Sequence, residues 1–199
     1  MQIEVLVGAD IAPLVDALAE LRIRVFADWP YLYDGDADYE ARYLAGYADT
    51  PRSIVVVARE GETIVGASSG MPLADHDEAI AAAVERDGTL AVADTFYCAE
   101  SVLLSACRGR GIGHRFFEER ERHARELGFG NVCFCAVERP DDHPARPPDA
   151  RSLEPFWRGR GYRPLGEART RLAWRDVGEE QESEKSLRFW WRPLAERSA

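Results

Sequence analysis

Lysine is all but missing from this chain: Lys185 is the only one, and the rest of its 25 basic residues are arginines. Positive charge as a whole is in deficit, with 35 Asp plus Glu against 25 Lys plus Arg and a net charge of −10. That balance excludes a nucleic-acid backbone as partner and favours a cationic or neutral small molecule. No apolar run is long enough to cross a membrane, and the opening Met1-Gln2-Ile3-Glu4 lacks the basic and apolar blocks of a signal peptide. We therefore expect a cytoplasmic protein that does not engage a membrane. Cysteine is scarce: Cys98, Cys107, Cys133 and Cys135 form no CxxC pair and no zinc-like spacing with histidine, which predicts reduced, buried thiols and no metal. What is present is ample for a core, since 46% of the 199 residues are apolar, and the length predicts one domain over 1–199.

Ile3 to Val7 alternates as a strand, and Asp10 is placed to cap a helix with the stripe Ile11, Leu14, Leu18, Leu21 and Val25. An aromatic and acidic stretch, Trp29 to Asp36, leads into a helix near Asp38 to Tyr47. Ser53–Arg59 and Thr63–Gly70 read as a hairpin around Glu60-Gly61-Glu62, followed by an Ala-rich helix at 75–86. Thr95–Leu104 reads as a strand, Ile112–Leu127 as an amphipathic helix with the apolar face Ile112, Phe116, Ala124 and Leu127, and Asn131–Val137 as a strand. Those three form a βαβ unit with parallel strands. Glu118 with Arg122 and Glu121 with Arg125 are expected as pairs on the wet side of that helix. The proline-rich 138–149 is a loop, 152–160 a short helix, and Ala168–Trp174 with Leu187–Arg192 a terminal hairpin. This order predicts an α/β protein with one mixed sheet.

The chemistry concentrates at Arg108-Gly109-Arg110-Gly111-Ile112-Gly113, which leaves a strand and opens a helix. Glycines let the backbone approach a ligand closely, and the unpaired amides and positive dipole of a helix start make an anion site. Arg108, Arg110, His114 and Arg115 add positive charge. A P-loop is excluded because no lysine precedes Lys185. A dinucleotide site gains from Glu138, which ends the next strand where a ribose-binding carboxylate would stand, but GxGxxG would need glycine at His114 or at Phe116.

Arg, two residues, Gly, one residue, Gly between a strand and a helix resembles the acyl-CoA pyrophosphate loop of the GNAT N-acetyltransferase superfamily, matched by Arg108, Gly111 and Gly113. The preceding Glu100-Ser101-Val102-Leu103-Leu104 is similar to that family's cofactor strand, and Glu154 to Tyr162 to its late helix ending in Gly and an aromatic. The resemblance extends over roughly residues 1 to 175 and is strongest in the central third. It implies a mixed parallel and antiparallel sheet, splayed central parallel strands, and helices on both faces.

It also implies transfer of an acetyl group from acetyl-CoA, as cosubstrate, to a primary amine on a small molecule or peptide, by direct attack in a ternary complex. Pantetheine would lie along Val102, Leu103 and Leu104, the pyrophosphate on Arg108, Gly109, Arg110, Gly111, Ile112, Gly113 and His114, with an amide near Leu103 on the thioester oxygen. Glu100 is the first candidate base, its pKa expected to rise on partial burial, and Glu138 the second. Tyr31, Tyr33 and Asp34 would line the acceptor pocket. The resemblance leaves pairing as a homodimer open. His76, His123 and His143 stand in polar stretches and read as surface residues. Trp157 stands where many relatives carry a Tyr that protonates the leaving thiolate, which keeps a non-catalytic acyl-CoA-binding module as an alternative function. A dinucleotide-binding protein is a third.

Overall fold

The unbroken apolar run Ile54 to Ala58 is buried on both sides, as an interior strand requires. In the computed structural model, which describes residues 1–194, that run lies in β2 (Ile54–Glu60). Around it are β1 (Gln2–Val7), β3 (Thr63–Pro72), β4 (Thr95–Leu103), β5 (Asn131–Val137), β6 (Arg163–Arg175) and β7 (Glu182–Pro193). They form one seven-stranded sheet in the order β1-β2-β3-β4-β5-β7-β6. Only β4 and β5 pair in parallel, so the sheet is mixed, as expected from the single βαβ unit.

Five α-helices cover the two faces. On one, α1 (Val15–Phe26) and α2 (Ala37–Ala48) bury Leu18, Leu21 and Leu44 against Val55, Val57, Ala67 and Val102. Beside them α3 (Glu78–Asp87) sets Ile80 and Val84 against Cys133, Leu187 and Phe189. On the other face, α4 (Ile112–Glu126) and α5 (Glu154–Gly159) close over Val56, Phe96, Val132, Phe134 and Trp190. Burying each such large side chain stabilises the fold by about 1.5–3 kcal/mol.

Several boundaries differ from the sequence reading. Asp10 caps nothing: residues Gly8–Leu14 form a 3-10 stretch containing Pro13, and the α-helix starts at Val15. Proline supplies no N–H to an α-helical ladder there. Asp36 caps α2 by accepting from the Tyr39 amide at 2.7 Å, and Asp77, not Asp75, caps α3 by accepting from Ala79 and Ile80. The hairpin β6–β7 is longer at both ends than its apolar core suggested.

The feature that matters most lies at the centre. β4 and β5 pair only at Thr95–Asn131, Phe96–Val132 and Tyr97–Cys133, then part. On its other edge, β4 bulges against β3: Ser69 faces Glu100 and Met71 faces Tyr97, so Gly70 alone opposes Cys98 and Ala99. Glycine is required at 70, because a Cβ there would lie 2.6 Å from the Phe96 ring and 3.0 Å from the Tyr97 carbonyl.

Candidate active site

Beyond Tyr97 and Cys133 the facing edges of β4 and β5 have no strand between them. The Leu104 amide donates to the Val65 carbonyl at 2.9 Å, which fixes the direction of alternate groups on β4. Val102 and Leu104 turn their polar groups toward β3, so the amides of Ser101 and Leu103 face the open side. At the mouth of this V, the chain passes through a 3-10 turn at Ser105–Cys107 into the glycine loop. Gly109 and Gly111 adopt φ of +76° and +80°, a conformation that costs any side-chain-bearing residue energy, and each faces open space. Among the described residues, the amides of Gly109, Arg110, Gly111, Ile112 and Gly113 have no hydrogen-bond acceptor. Five consecutive free donors at the start of a helix, with the positive end of its dipole behind them, form a cradle for an anion.

The side chains around the loop are held lightly. Arg110 pairs with Glu60 at 2.7 Å, both half-exposed, Arg108 donates to the Leu103 carbonyl at 3.3 Å, and His114 meets Arg160 at 3.1 Å. On the face covered by α1 and α2 lies a buried charge cluster. Arg22 pairs with both Glu40 and Glu100, and the Tyr43 hydroxyl donates to Glu100 at 3.1 Å and meets Tyr47 at 3.0 Å. Burial pushes the Glu100 pKa up, but Arg22 and the hydrogen bonds to its carboxylate outweigh burial and hold it below the usual range. The His76 ring lies 4.6 Å from that of Tyr97 and edge-on to Tyr43 and Tyr47.

The family model for the GNAT acetyltransferases matches residues 18–147, a span holding the V, the loop and the charge cluster. The chain belongs to the GNAT acetyltransferase family. Solved structures share the fold at low identity. A ribosomal-protein-alanine N-acetyltransferase from Brucella melitensis superposes with a TM-score of 0.60 at 15% identity, over 98% of this chain and 100% of that one. An aminoglycoside 6'-N-acetyltransferase complexed with coenzyme A gives 0.60 at 16% identity, over 100% of both chains. An acetyltransferase from Salmonella typhimurium with acetyl-CoA gives 0.58 at 14% identity, over 100% of this chain and 98% of that one. No curated protein sequence matches the chain.

Within this GNAT fold the residues singled out by sequence meet different fates. Val102, Leu103, Leu104 and the segment Arg108 to His114 lie together along the opened edge of β4 and the head of α4. Glu100 stands on the opened half of β4, but the expected upward pKa shift is corrected: the Arg22 guanidinium keeps it ionised. Glu138, the second candidate base, directly follows β5. Its carboxylate accepts from Arg169 at 2.8 Å and from Ser186 at 3.2 Å, toward β7 and β6 and away from the V, and its pKa is likewise held down, chiefly by the Arg169 hydrogen bond. A cavity of about 370 Å³ lined by Arg86, Arg169, Thr170, Arg171 and Ser186 lies at that edge, far from the glycine loop.

Of the three acceptor residues, Tyr31 is wedged between the rings of Phe26 and Trp174. Tyr33 forms a bridge to Asp176, and the Asp34 carboxylate pairs with Arg175 at 2.6 Å, both side chains half-exposed. Arg139 holds this segment down, donating to the carbonyls of Pro30 and Tyr31 and bidentately to Asp176. His123 is buried, not on the surface: its Nε2 meets the Arg52 carbonyl at 3.1 Å, and its ring stands edge-on to Phe96. His76 is half-buried rather than exposed. Cys98, Cys107, Cys133 and Cys135 are all buried and free, and burial pushes the Cys135 thiol up to about 11. Trp157 packs on Phe134 and Trp190. Among the described residues no helix could span a membrane, and no group of three or more His, Cys, Asp or Glu could hold a metal ion.

The sequence reading missed Arg22, Glu40 and Arg120. A signal existed for both arginines: Arg22 lies four residues after Leu18 and four before Phe26, and Arg120 four after Phe116 and four before Ala124, so each interrupts an apolar stripe.

Proposed function

We propose that residues 1–199 act as one N-acetyltransferase domain, which moves an acetyl group from acetyl-CoA to a primary amine by direct attack in a ternary complex. The observation that carries the reading is the parting of β4 from β5 beyond Tyr97–Cys133, with a run of unbonded amides at its open end. The coenzyme pyrophosphate takes the amides of Gly109 to Gly113. Arg110 exchanges Glu60 for a phosphate at little cost, because water screens so exposed a pair. Arg108 and His114 stand beside it. Pantetheine follows the vacant edge of Val102, Leu103 and Leu104 as an added strand would.

The thioester oxygen then meets the amide of Ser101 or Leu103. The bound ammonium first gives a proton to solvent water; the neutral amine nitrogen then attacks the thioester carbon, the oxyanion takes that N–H, the C–S bond breaks to release CoA thiolate, and the second amine proton passes to water. One preorganised donor of this kind contributes about 3 kcal/mol. Glu100, ionised beside the opened strand, contributes negative potential that draws a cationic amine in; it does not act as a titrating base. With Trp157 in place of a phenol, the thiolate takes its proton from water. Support for an amine acceptor comes from the named activities of two structural neighbours, an aminoglycoside 6'-N-acetyltransferase and a ribosomal-protein-alanine N-acetyltransferase.

Thiol release measured against a panel of small-molecule and peptide amines tests this. Turnover with acetyl-CoA is expected, and Gly111→Asp is expected to weaken acetyl-CoA binding at least tenfold by placing a like charge in the cradle. Trp157 favours one rival, a non-catalytic acyl-CoA-binding module; tight CoA binding with no turnover by any amine would establish it instead.

A further inference from the structure

Arg120 lies in the apolar stripe of α4 and is 1% exposed. Its Nη1 donates to the carbonyls of Ser69 at 3.1 Å and Glu100 at 2.8 Å, Nη2 donates to Ser101 Oγ at 3.0 Å, Nε donates to the Phe116 carbonyl at 3.3 Å, and the guanidinium lies over the Phe117 ring. Ser69 and Glu100 are the residues at which the β3–β4 register breaks. Among the described residues Arg120 makes no ion pair, whereas the neighbouring buried Glu121 has Arg125, Arg160 and Arg192.

A buried cation without a counter-ion costs more than the apolar residue the stripe calls for. Packing therefore gives no reason for it. The backbone does: the Ser69 and Glu100 carbonyls at the bulge both accept from this one guanidinium, and such charge-assisted bonds hold them in place. The Glu100 carbonyl and the Ser101 amide belong to one peptide unit and point in opposite directions. With the carbonyl turned to Arg120, the N–H turns to the open side of β4, and a charge-assisted bond on the oxygen makes that N–H a stronger donor.

We propose that Arg120 is a positioning residue for acyl transfer: its guanidinium holds the bulge that carries β4 away from β5, and it polarises the peptide whose N–H faces the thioester. This rests on the acetyltransferase reading above. The unpaired positive charge directly behind the Glu100–Ser101 peptide also adds to the positive potential on its open side, where an oxyanion would form, in a site of low dielectric.

Arg120→Met and Arg120→Lys separate this role from folding. Both leave the glycine loop untouched, so the Kd for 3'-phospho-ADP, the coenzyme fragment that lacks pantetheine, is expected to stay within about threefold, while kcat for the amine found above falls about a hundredfold in the Met variant and less in the Lys variant. Crystals of Arg120→Met are expected to show β4 pairing with β5 past Tyr97–Cys133. If the Met variant does not fold, the Lys variant decides, by kcat at saturating acetyl-CoA and by its own β4–β5 pairing. Unchanged kcat in a folded variant, or strands that still part at Tyr97–Cys133, would overturn the proposal. Should wild-type protein turn over no amine at all, that failure belongs to the acetyltransferase reading, and the strand pairing alone decides the role of Arg120.

Discussion

Glu100 and Arg22 hold each other ionised in a site that burial alone would make hostile to both. Removing Glu100 leaves Arg22 with Glu40 alone. Glu100→Gln is therefore expected to cost about 2 kcal/mol of stability in urea unfolding at pH 7, the loss of a hydrogen bond between charged groups. Because the folded carboxylate titrates below its ordinary range, its stabilising effect is present at neutral pH and is lost only as pH falls through the acidic folded value. The same variant is expected to lower the acetyl-transfer rate by a similar factor across pH 6 to 9, as measured by thiol release. Recovery of the rate at high pH would show that Glu100 titrates as the base after all.

The segment between β3 and α3 brings His76 beneath α2, against Tyr43, Tyr47 and Tyr97. Burial lowers its pKa, and the attraction of Glu100 and Asp77 offsets this only in part. The unfolded chain, with an ordinary value near 6.5, then binds the proton more readily than the folded one. Stability should be fully present above about pH 7 and decline as pH falls below about 6.5, until the lowered folded value is passed. His76→Phe should flatten that slope in thermal melts, whereas an unchanged slope would assign the effect elsewhere. The βαβ unit and its glycine loop were legible from residues 95–137 because local rules act there: a 2-residue alternation, a 3.6-residue stripe, and glycine where φ is positive. The pairing partners of Glu100, Glu138 and Asp34 were not, since each is an arginine on a distant element, and sequence spacing carries no such information. The pairing drawn between Glu118 and Arg122 failed for a local reason: Glu119 and Glu126 reach Arg122 first. Leu127, expected in the stripe, lies past the end of α4 and is exposed, while Arg120 occupies the buried position.

At the scale of the whole molecule, the sheet does two jobs with one interruption. Paired along most of its flanks, it is a rigid frame; unpaired between the C-terminal halves of β4 and β5, it leaves two edges of backbone donors and acceptors unused. The terminal hairpin β6–β7 is tied to the segment between α1 and α2 by Asp176, which joins Arg139 to Lys185, the chain's only lysine, at 3.0 Å. The segment proposed to face the acceptor is thus pinned to the same frame that carries the V, an arrangement that under the proposed reading would position amine and thioester from one scaffold. Hydrogen exchange of the backbone amides with and without coenzyme A reads this arrangement most directly. Protection confined to Gly109 through Gly113 and to Ser101 and Leu103 is the result predicted. Unaltered exchange at those amides, with saturating coenzyme A present, would contradict the account.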